Sequence, residues 1–300
     1  MKKKYKIGFF GDDVWAHKTL NYLLKDKSIK IEFICGRYKS IDKKLKKIAM
    51  VNNIKFLKIK NVNDDKFINK IIKKEIDLLI SMSFDQIFKK KIINLFSKKI
   101  VNCHAGKLPF YRGRSVLNWV LINGEKNFGI TTHFINHKID TGNILNQKII
   151  KIEKKDDYKS LLFKSYKECS KILYKTIKQI QNNKYKSIPQ TKISKKSSYF
   201  KRRKKGDEIL NLKIDSKKIQ NFVKGLVRPG PLARIKLNKN EIFIEKVTIL
   251  KNKLNNSEFS IFFKKNKLYF PTVDKKMIRV DKWYSKFRIN KNSKLGVIWR

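Results

Sequence analysis

Cysteine is scarce and scattered: Cys35, Cys103 and Cys169 are the only three in 300 residues, with no Cys-x-x-Cys spacing and no Cys/His cluster. That pattern excludes a disulfide framework and a structural zinc site. Long apolar runs are also missing. The opening Met-Lys-Lys-Lys-Tyr-Lys leads into an apolar run over Ile7–Phe10 that Asp12-Asp13 soon ends. This is too short for the apolar part of a signal peptide, and no stretch approaches a membrane span. A soluble, cytoplasmic protein is therefore expected. The glycines after the first apolar run read Gly8-x-x-Gly11 rather than GxGxxG, which argues against a dinucleotide phosphate loop and against NAD. No internal repeat is present. Acidic residues are few, 24 against 74 basic ones, for a net charge of +50, yet only ten of the basic residues are arginine. Nucleic-acid sites concentrate Arg, Lys and aromatics on one face. Here Lys is spread over nearly the whole chain beside abundant Asn and Ile, as an A+T-rich coding sequence would produce. Coding bias is the favoured reading and a selected polyanion site the alternative. Either way, weak and salt-sensitive attraction to RNA or anionic lipid follows.

What is there suffices for two cores, since 41% of the residues are hydrophobic. Strand-like runs (Tyr5–Gly11, Ile29–Cys35, Ile54–Ile59, Ile76–Met82, Lys99–Cys103) alternate with helical spacing at Val14–Leu24, Lys43–Val51, Phe67–Lys74 and Ile87–Phe96. Alternation of this kind predicts a parallel sheet with helices on both faces, whose ligands bind beyond the carboxyl ends of the strands. A helix over Ser115–Ile122, β segments at Gly129–Ile135 and Ile144–Ile152, and a long amphipathic helix over Asp156–Gln181 follow. Ile188–Arg203 has no strong period and reads as a linker. Beyond Asp207 come short β-like runs at Ala233–Leu237, Ile242–Leu250, Phe259–Phe263, Leu268–Phe270 and Met277–Trp283, which predict a small antiparallel barrel or sheet.

The most informative segment is Asn-Cys-His-Ala-Gly-Lys-Leu-Pro-Phe-Tyr-Arg-Gly-Arg at 102–114, followed by Ile-Asp-Thr-Gly at 139–142. On a strand, residues i and i+2 share a face, so Asn102 and His104 point together past the strand's carboxyl end. Asp140 supplies a carboxylate to orient the imidazole, or else only nucleates its turn. An amide donor, a group that titrates near neutrality and a carboxylate are enough for acyl transfer to a nitrogen. His133 and His137 read as surface or packing residues, and His17 as a residue near the cleft without an assigned role.

Asn102-Cys-His104, Lys107-Leu-Pro109-Phe-Tyr111-Arg112-Gly113 and Asp140-Thr-Gly142, in this order and spacing, resemble the signature of the folate-dependent formyltransferases. The resemblance is strong over about residues 5–190 and looser beyond. Where the family usually has Ser-Leu-Leu-Pro, this chain has Gly106-Lys107-Leu108-Pro109. The resemblance implies a Rossmann-like α/β catalytic domain over 1–190, a linker over 191–206, and a β-rich, OB-like carboxyl-terminal domain over 207–300. It implies 10-formyltetrahydrofolate as formyl donor, no metal, and Asn102, His104 and Asp140 as the catalytic set. The folate is expected along Gln86, Ile87, Phe88, Lys107, Leu108, Pro109, Asn136, His137, Lys138 and Ile139. Arg114 matches a folate position of the sugar branch, or alternatively caps acids of a neighbouring helix.

Two acceptors belong to this family: initiator methionyl-tRNA and the amine of a nucleotide-linked amino sugar. The Gly- and basic-rich insert usual in the tRNA branch is missing after Cys35. Arg114-Ser-Val-Leu-Asn118-Trp119, Asn123-Gly124-Glu125 and Arg228-Pro229-Gly230-Pro231 are similar to the sugar branch. The expected partner is thus a nucleotide-linked amino sugar of the kind built into lipopolysaccharide O-antigens and other cell-surface glycans, with a homodimer as one assembly open to the chain. Arg202, Arg203 and Arg228 are candidates for its phosphates and Phe222 for its base, each equally readable as a solvated charge or a packing ring. Methionyl-tRNA formylation and a non-catalytic RNA-binding role are the alternatives.

Overall fold

The computed structural model describes residues 3–237, 240–253, 260–264, 266–287 and 294–297. In chain order it forms β1 (Tyr5–Gly11), α1 (Asp13–Leu23), β2 (Ile29–Gly36), α2 (Lys43–Val51), β3 (Phe56–Lys58), α3 (Asp65–Ile72), β4 (Leu78–Met82), α4 (Lys90–Leu95) and β5 (Ile100–His104). There follow β6 (Arg112–Gly113), α5 (Val116–Ile122), β7 (Asn127–Phe134), β8 (Ile144–Lys151), α6 (Tyr158–Gln181), a 3-10 turn (Gln190–Lys192) and β9 (Tyr199–Phe200). The remainder is α7 (Ser216–Leu226), β10 (Ala233–Leu237), β11 (Asn240–Lys253), β12 (Ser260–Lys264), β13 (Lys267–Pro271), β14 (Lys276–Ser285) and β15 (Lys294–Val297).

Two compact units result. The first comprises Met1–Gly113, Phe128–Ile150 and Phe163–Phe200; the second comprises Arg114–Asn127, Lys151–Leu162 and Lys201–Arg300. The sequence predicts one crossing at 191–206, whereas the chain passes between the units repeatedly.

The first unit carries a seven-stranded sheet in the order β3-β2-β1-β4-β5-β7-β8. Strands β1 to β5 pair in parallel, and β7 runs antiparallel to β5. Phe9, Phe10, Leu79 and Ile80 are fully buried, as a strand covered on both faces requires. Phe10 sits among Phe33, Phe67 and Phe88, with ring centroids 5.4, 6.1 and 5.1 Å away. Gly8 serves this packing: a Cβ there would stand 2.6 Å from the Phe33 ring and 2.7 Å from Leu79. Its role is to admit an aromatic neighbour rather than a phosphate. Helices α2 and α3 start where Asp42 and Asp64 accept backbone N–H groups with their side chains, each cap stabilising its helix by about 1 kcal/mol. Chain order reverses between β1 and β4, the place where sheets of this kind bind ligands beyond the carboxyl ends of their strands.

Helix α4 is shorter than the predicted 87–96. Gln86 accepts from the Val62 N–H and donates to the Ile59 carbonyl, while Asn63 takes the Lys89 N–H. Those bonds hold 86–89 extended and turn Phe88 into the core.

In the second unit, a six-stranded sheet runs in the order β10-β11-β14-β13-β12-β15, each neighbouring pair antiparallel. Ile235, Ile244, Phe263 and Phe270 form its core together with Ile219, Val223 and Leu226 of α7. Helix α7 lies where the sequence predicts only β-like runs. Asp215 caps it by accepting the Lys218 N–H, and Asn118 of α5 donates to the Gly225 carbonyl at 2.7 Å. Of the predicted run Phe259–Phe263, Phe259 lies outside the described residues.

Candidate active site

Strand β5 carries Asn102 and His104 two residues apart at its carboxyl end. His104 is buried. Its Nε2 lies 2.6 Å from the Tyr111 carbonyl. A carbonyl only accepts, so Nε2 carries the hydrogen, and Nδ1 is the nitrogen left to exchange a proton. Nδ1 faces Asp140 Oδ2 at 3.6 Å. The tautomer is therefore set by the Tyr111 carbonyl, while the carboxylate acts on the ring through its charge. The expectation that Asp140 orients the imidazole is thus modified: the Tyr111 carbonyl sets the tautomer.

Gly106 makes the arrangement feasible. A Cβ there would fall 2.4 Å from His104 Nε2 and 2.4 Å from the Tyr111 carbonyl oxygen. With the ring and the Tyr111 carbonyl placed as they are in this chain, only a glycine fits without a shift. Gly106→Ala is expected to lower Tm by several degrees, because relieving the overlap costs about 1–3 kcal/mol. An unchanged thermal melt would show that the loop yields without strain.

Asp140 is held on every side. Its side chain is 11% exposed, and Oδ2 accepts the Gly113 N–H at 2.9 Å. Burial pushes its carboxyl up. The charge of His104, the hydrogen bond and charge of His133, and the Gly113 N–H outweigh this and hold it well below the usual carboxylate range.

His133 belongs to the site, which corrects its assignment to surface or packing. It is 2% exposed, with Nδ1 donating to the Phe134 carbonyl at 2.8 Å. Nε2 lies 3.1 Å from Asn102 Nδ2 and 3.5 Å from Asp140 Oδ1: in the neutral ring it accepts from Asn102, and in the protonated ring it donates to Asp140. The other Nδ2 contact of Asn102 is to Asp140 Oδ1 at 3.5 Å. The cluster therefore contains an amide, two imidazoles and a carboxylate.

The remaining predicted folate residues divide. Phe88 and Leu108 are 4% and 1% exposed, and Pro109 is also buried, so these side chains are core and offer no ligand surface. The Leu108 carbonyl accepts from Gln147. Lys107 and the turn 136–139 are exposed, and Asn136 caps that turn by accepting from Thr141 and the Lys138 N–H. His137 stands in solvent on this turn. Ile87 and Ile139 are 61% and 44% exposed, on segments that follow β4 and β7, the strands flanking β5. His17 bonds Asp42 at 2.6 Å, a contact made at the start of α2.

Arg114, Arg202, Arg203, Phe222 and Arg228 all belong to the second unit. Arg114 and Arg202 are exposed. The Arg203 guanidinium lies over the Trp119 ring at 5.5 Å and donates to the Asp207 carbonyl. Phe222 packs on the sheet core, which favours its reading as a packing ring. Arg228 lies over the Tyr284 ring at 5.7 Å, and Tyr284 stacks on Phe243.

Comparison with known proteins gives the family. Residues 32–177 match the formyl transferase domain. The chain is 36% identical over 211 residues to the bifunctional polymyxin resistance protein ArnA of Wigglesworthia glossinidia brevipalpis, covering 70% of this chain and 31% of that one. It is 33% identical over 235 residues to the methionyl-tRNA formyltransferase of Clostridium tetani, covering 76% of this chain and 75% of that one. Among solved structures, an N-formyltransferase from Helicobacter canadensis in complex with folinic acid and dTDP-3-aminofucose superposes with a TM-score of 0.72 at 26% identity, covering 93% and 99% of the two chains. The chain belongs to the formyltransferase family. It spans less than a third of the length of ArnA. Among the described residues, no helix is long and apolar enough to cross a membrane, and no group of side chains is arranged to hold a metal.

Proposed function

We propose that this protein transfers a formyl group from 10-formyltetrahydrofolate to the amine of a nucleotide-linked amino sugar. The observation that carries the chemistry is the set of buried His104 and His133 with half-buried Asn102 and Asp140, meeting near the carboxyl end of β5. The folate supplies a formyl carbon bound to nitrogen. As the acceptor amine adds to that carbon, negative charge collects on the formyl oxygen, and a preorganised amide donor there is worth about 3 kcal/mol. Asn102 is the donor in place, and its longer contact, to Asp140, is the one to be exchanged for the oxyanion. His104 Nδ1 takes the proton from the amine and passes one to the departing folate nitrogen, while the Asp140 charge stabilises the protonated ring. The solvent-exposed Ile87 and Ile139 suit a flat aromatic donor, which would cover them.

The sugar acceptor is favoured by the Helicobacter canadensis structure, which matches both units and was obtained with a nucleotide-linked amino sugar. Methionyl-tRNA is the second reading, favoured by the Clostridium tetani relative and the charge of +50. A salt series separates them. One diphosphate meets few cations, so kcat/KM with a dTDP-linked amino sugar should fall gently as salt rises. A tRNA contacts many phosphates, and log affinity would fall steeply with log salt. Efficient formylation of charged initiator tRNA at physiological ionic strength, with no product from a panel of nucleotide-linked amino sugars, overturns the sugar reading.

A further inference from the structure

Gln190 lies where composition suggests the end of a domain, yet it is 4% exposed, at the start of the 3-10 turn that follows Pro189. Its carboxamide is fully used. Nε2 donates to the carbonyls of Asp140 at 2.8 Å and Gly142 at 2.9 Å. Oε1 accepts Nε and Nη2 of Arg112 at 3.1 and 2.6 Å. One side chain thus joins the turn bearing Asp140 to the loop whose next residue, Gly113, donates to the Asp140 carboxylate.

The Asp140 turn needs such support. Asp140 has φ of +54°, in the left-handed region that a non-glycine residue occupies at a cost. Gly142 is pressed so closely on β7 that a Cβ would fall 1.7 Å from the Phe134 carbonyl oxygen. The carboxylate oxygens stand 3.6 Å from His104 and 3.5 Å from His133, distances at which a small shift of the turn changes the field at both rings.

We propose that Gln190 is a positioning residue for the acid–base cluster: it clamps the Asp140 turn so that the carboxylate faces His104 and His133. Only a primary amide meets both demands, donating twice to carbonyls at one end and accepting a guanidinium at the other. Glutamate would keep the Arg112 contact but set negative charge against two carbonyl oxygens, and methionine would keep the volume without any of the four bonds.

The inference rests on the formyl-transfer reading, and its test separates the two. Gln190→Met and Gln190→Glu, made in the full chain, are expected to lower kcat about thirtyfold while leaving both KM values within about twofold, since a misplacement near 1 Å is costly to chemistry. Lys192→Ala, on the exposed side of the same turn, serves as the control. In an Asp140→Asn background the loss caused by Gln190→Met should shrink below about threefold, because both substitutions then remove one effect. Equal losses in both backgrounds, or a loss confined to KM, overturn the proposal. A second readout needs no turnover: the ring 15N shifts of His104 and His133 should move in folded Gln190→Met protein and stay fixed in Lys192→Ala. If the wild-type protein transfers no formyl group, the reading of the activity fails, and unmoved ring shifts in Gln190→Met would then overturn the clamp on their own.

Discussion

His104→Ala is expected to lower kcat at least about a hundredfold with little change in KM for the folate, and Asn102→Ala to do the same. The two losses have different origins. With Nε2 committed to the Tyr111 carbonyl, His104 has a single nitrogen with which to move a proton between amine and leaving nitrogen, and alanine provides none. Asn102 supplies the N–H for the developing oxyanion, and removing one such donor costs about 10²–10³ in kcat. Neither side chain is needed to seat the donor, whose expected contacts lie on the segments around Ile87 and Ile139. Steady-state kinetics with saturating folate measure both, and near-wild-type turnover in either variant would remove that residue from the chemistry.

Asp140→Asn should cost at least about a hundredfold in kcat and should also change how stability depends on pH. The folded-state pKa of Asp140 lies below the ordinary carboxylate value of about 3.9, because the charges and hydrogen bonds around it outweigh its burial. A depressed pKa means that the ionised group stabilises the fold above that ordinary value and that the contribution is lost as pH falls toward the folded-state pKa. Thermal melts of the wild-type protein should therefore lose stability more steeply below about pH 4 than those of Asp140→Asn. The same sign means that Asp140 contributes no limb to the rate profile at neutral pH. Parallel melting curves across that range would show that the carboxylate gains nothing from its surroundings.

Much of this site is legible in the sequence because it is local. Asn102 and His104 are two residues apart on one strand, and a period of two needs no tertiary information. His133 is different. Its meeting with Asn102 depends on the antiparallel register of β7 against β5, which sets Asn102 opposite His133. Nothing in either segment states that register, although the alternation of Thr131 and His133 along β7 does show that they share a face. Gln190 was hidden by its company, since proline, lysine and serine around it read as solvent-exposed chain. Helix α7 is legible from its cap: Ile219, Phe222, Val223 and Leu226 follow the helical period after Asp215, beside β-like runs that dominate the carboxyl-terminal pattern. Phe88 shows a different limit, since its expected contact with the donor runs through the backbone. A resemblance places a residue near a ligand without saying which way its ring turns, and here the ring completes the Phe10 cluster.

Segment 198–200 bears on where this protein could be divided. Tyr111 donates its N–H to the Ser198 hydroxyl, Arg112 donates to the Ser198 carbonyl, and the Tyr111 and Phe200 rings stack at 4.8 Å. These contacts fasten the very loop whose carbonyl fixes the His104 tautomer. A fragment cut at residue 190 would retain all seven strands of the large sheet and all four polar groups of the cluster, and it would still lack that fastening. Fastening that loop takes the chain as far as residue 200, so a ribosome would have to release it well past the last strand of the large sheet before the reactive geometry could close.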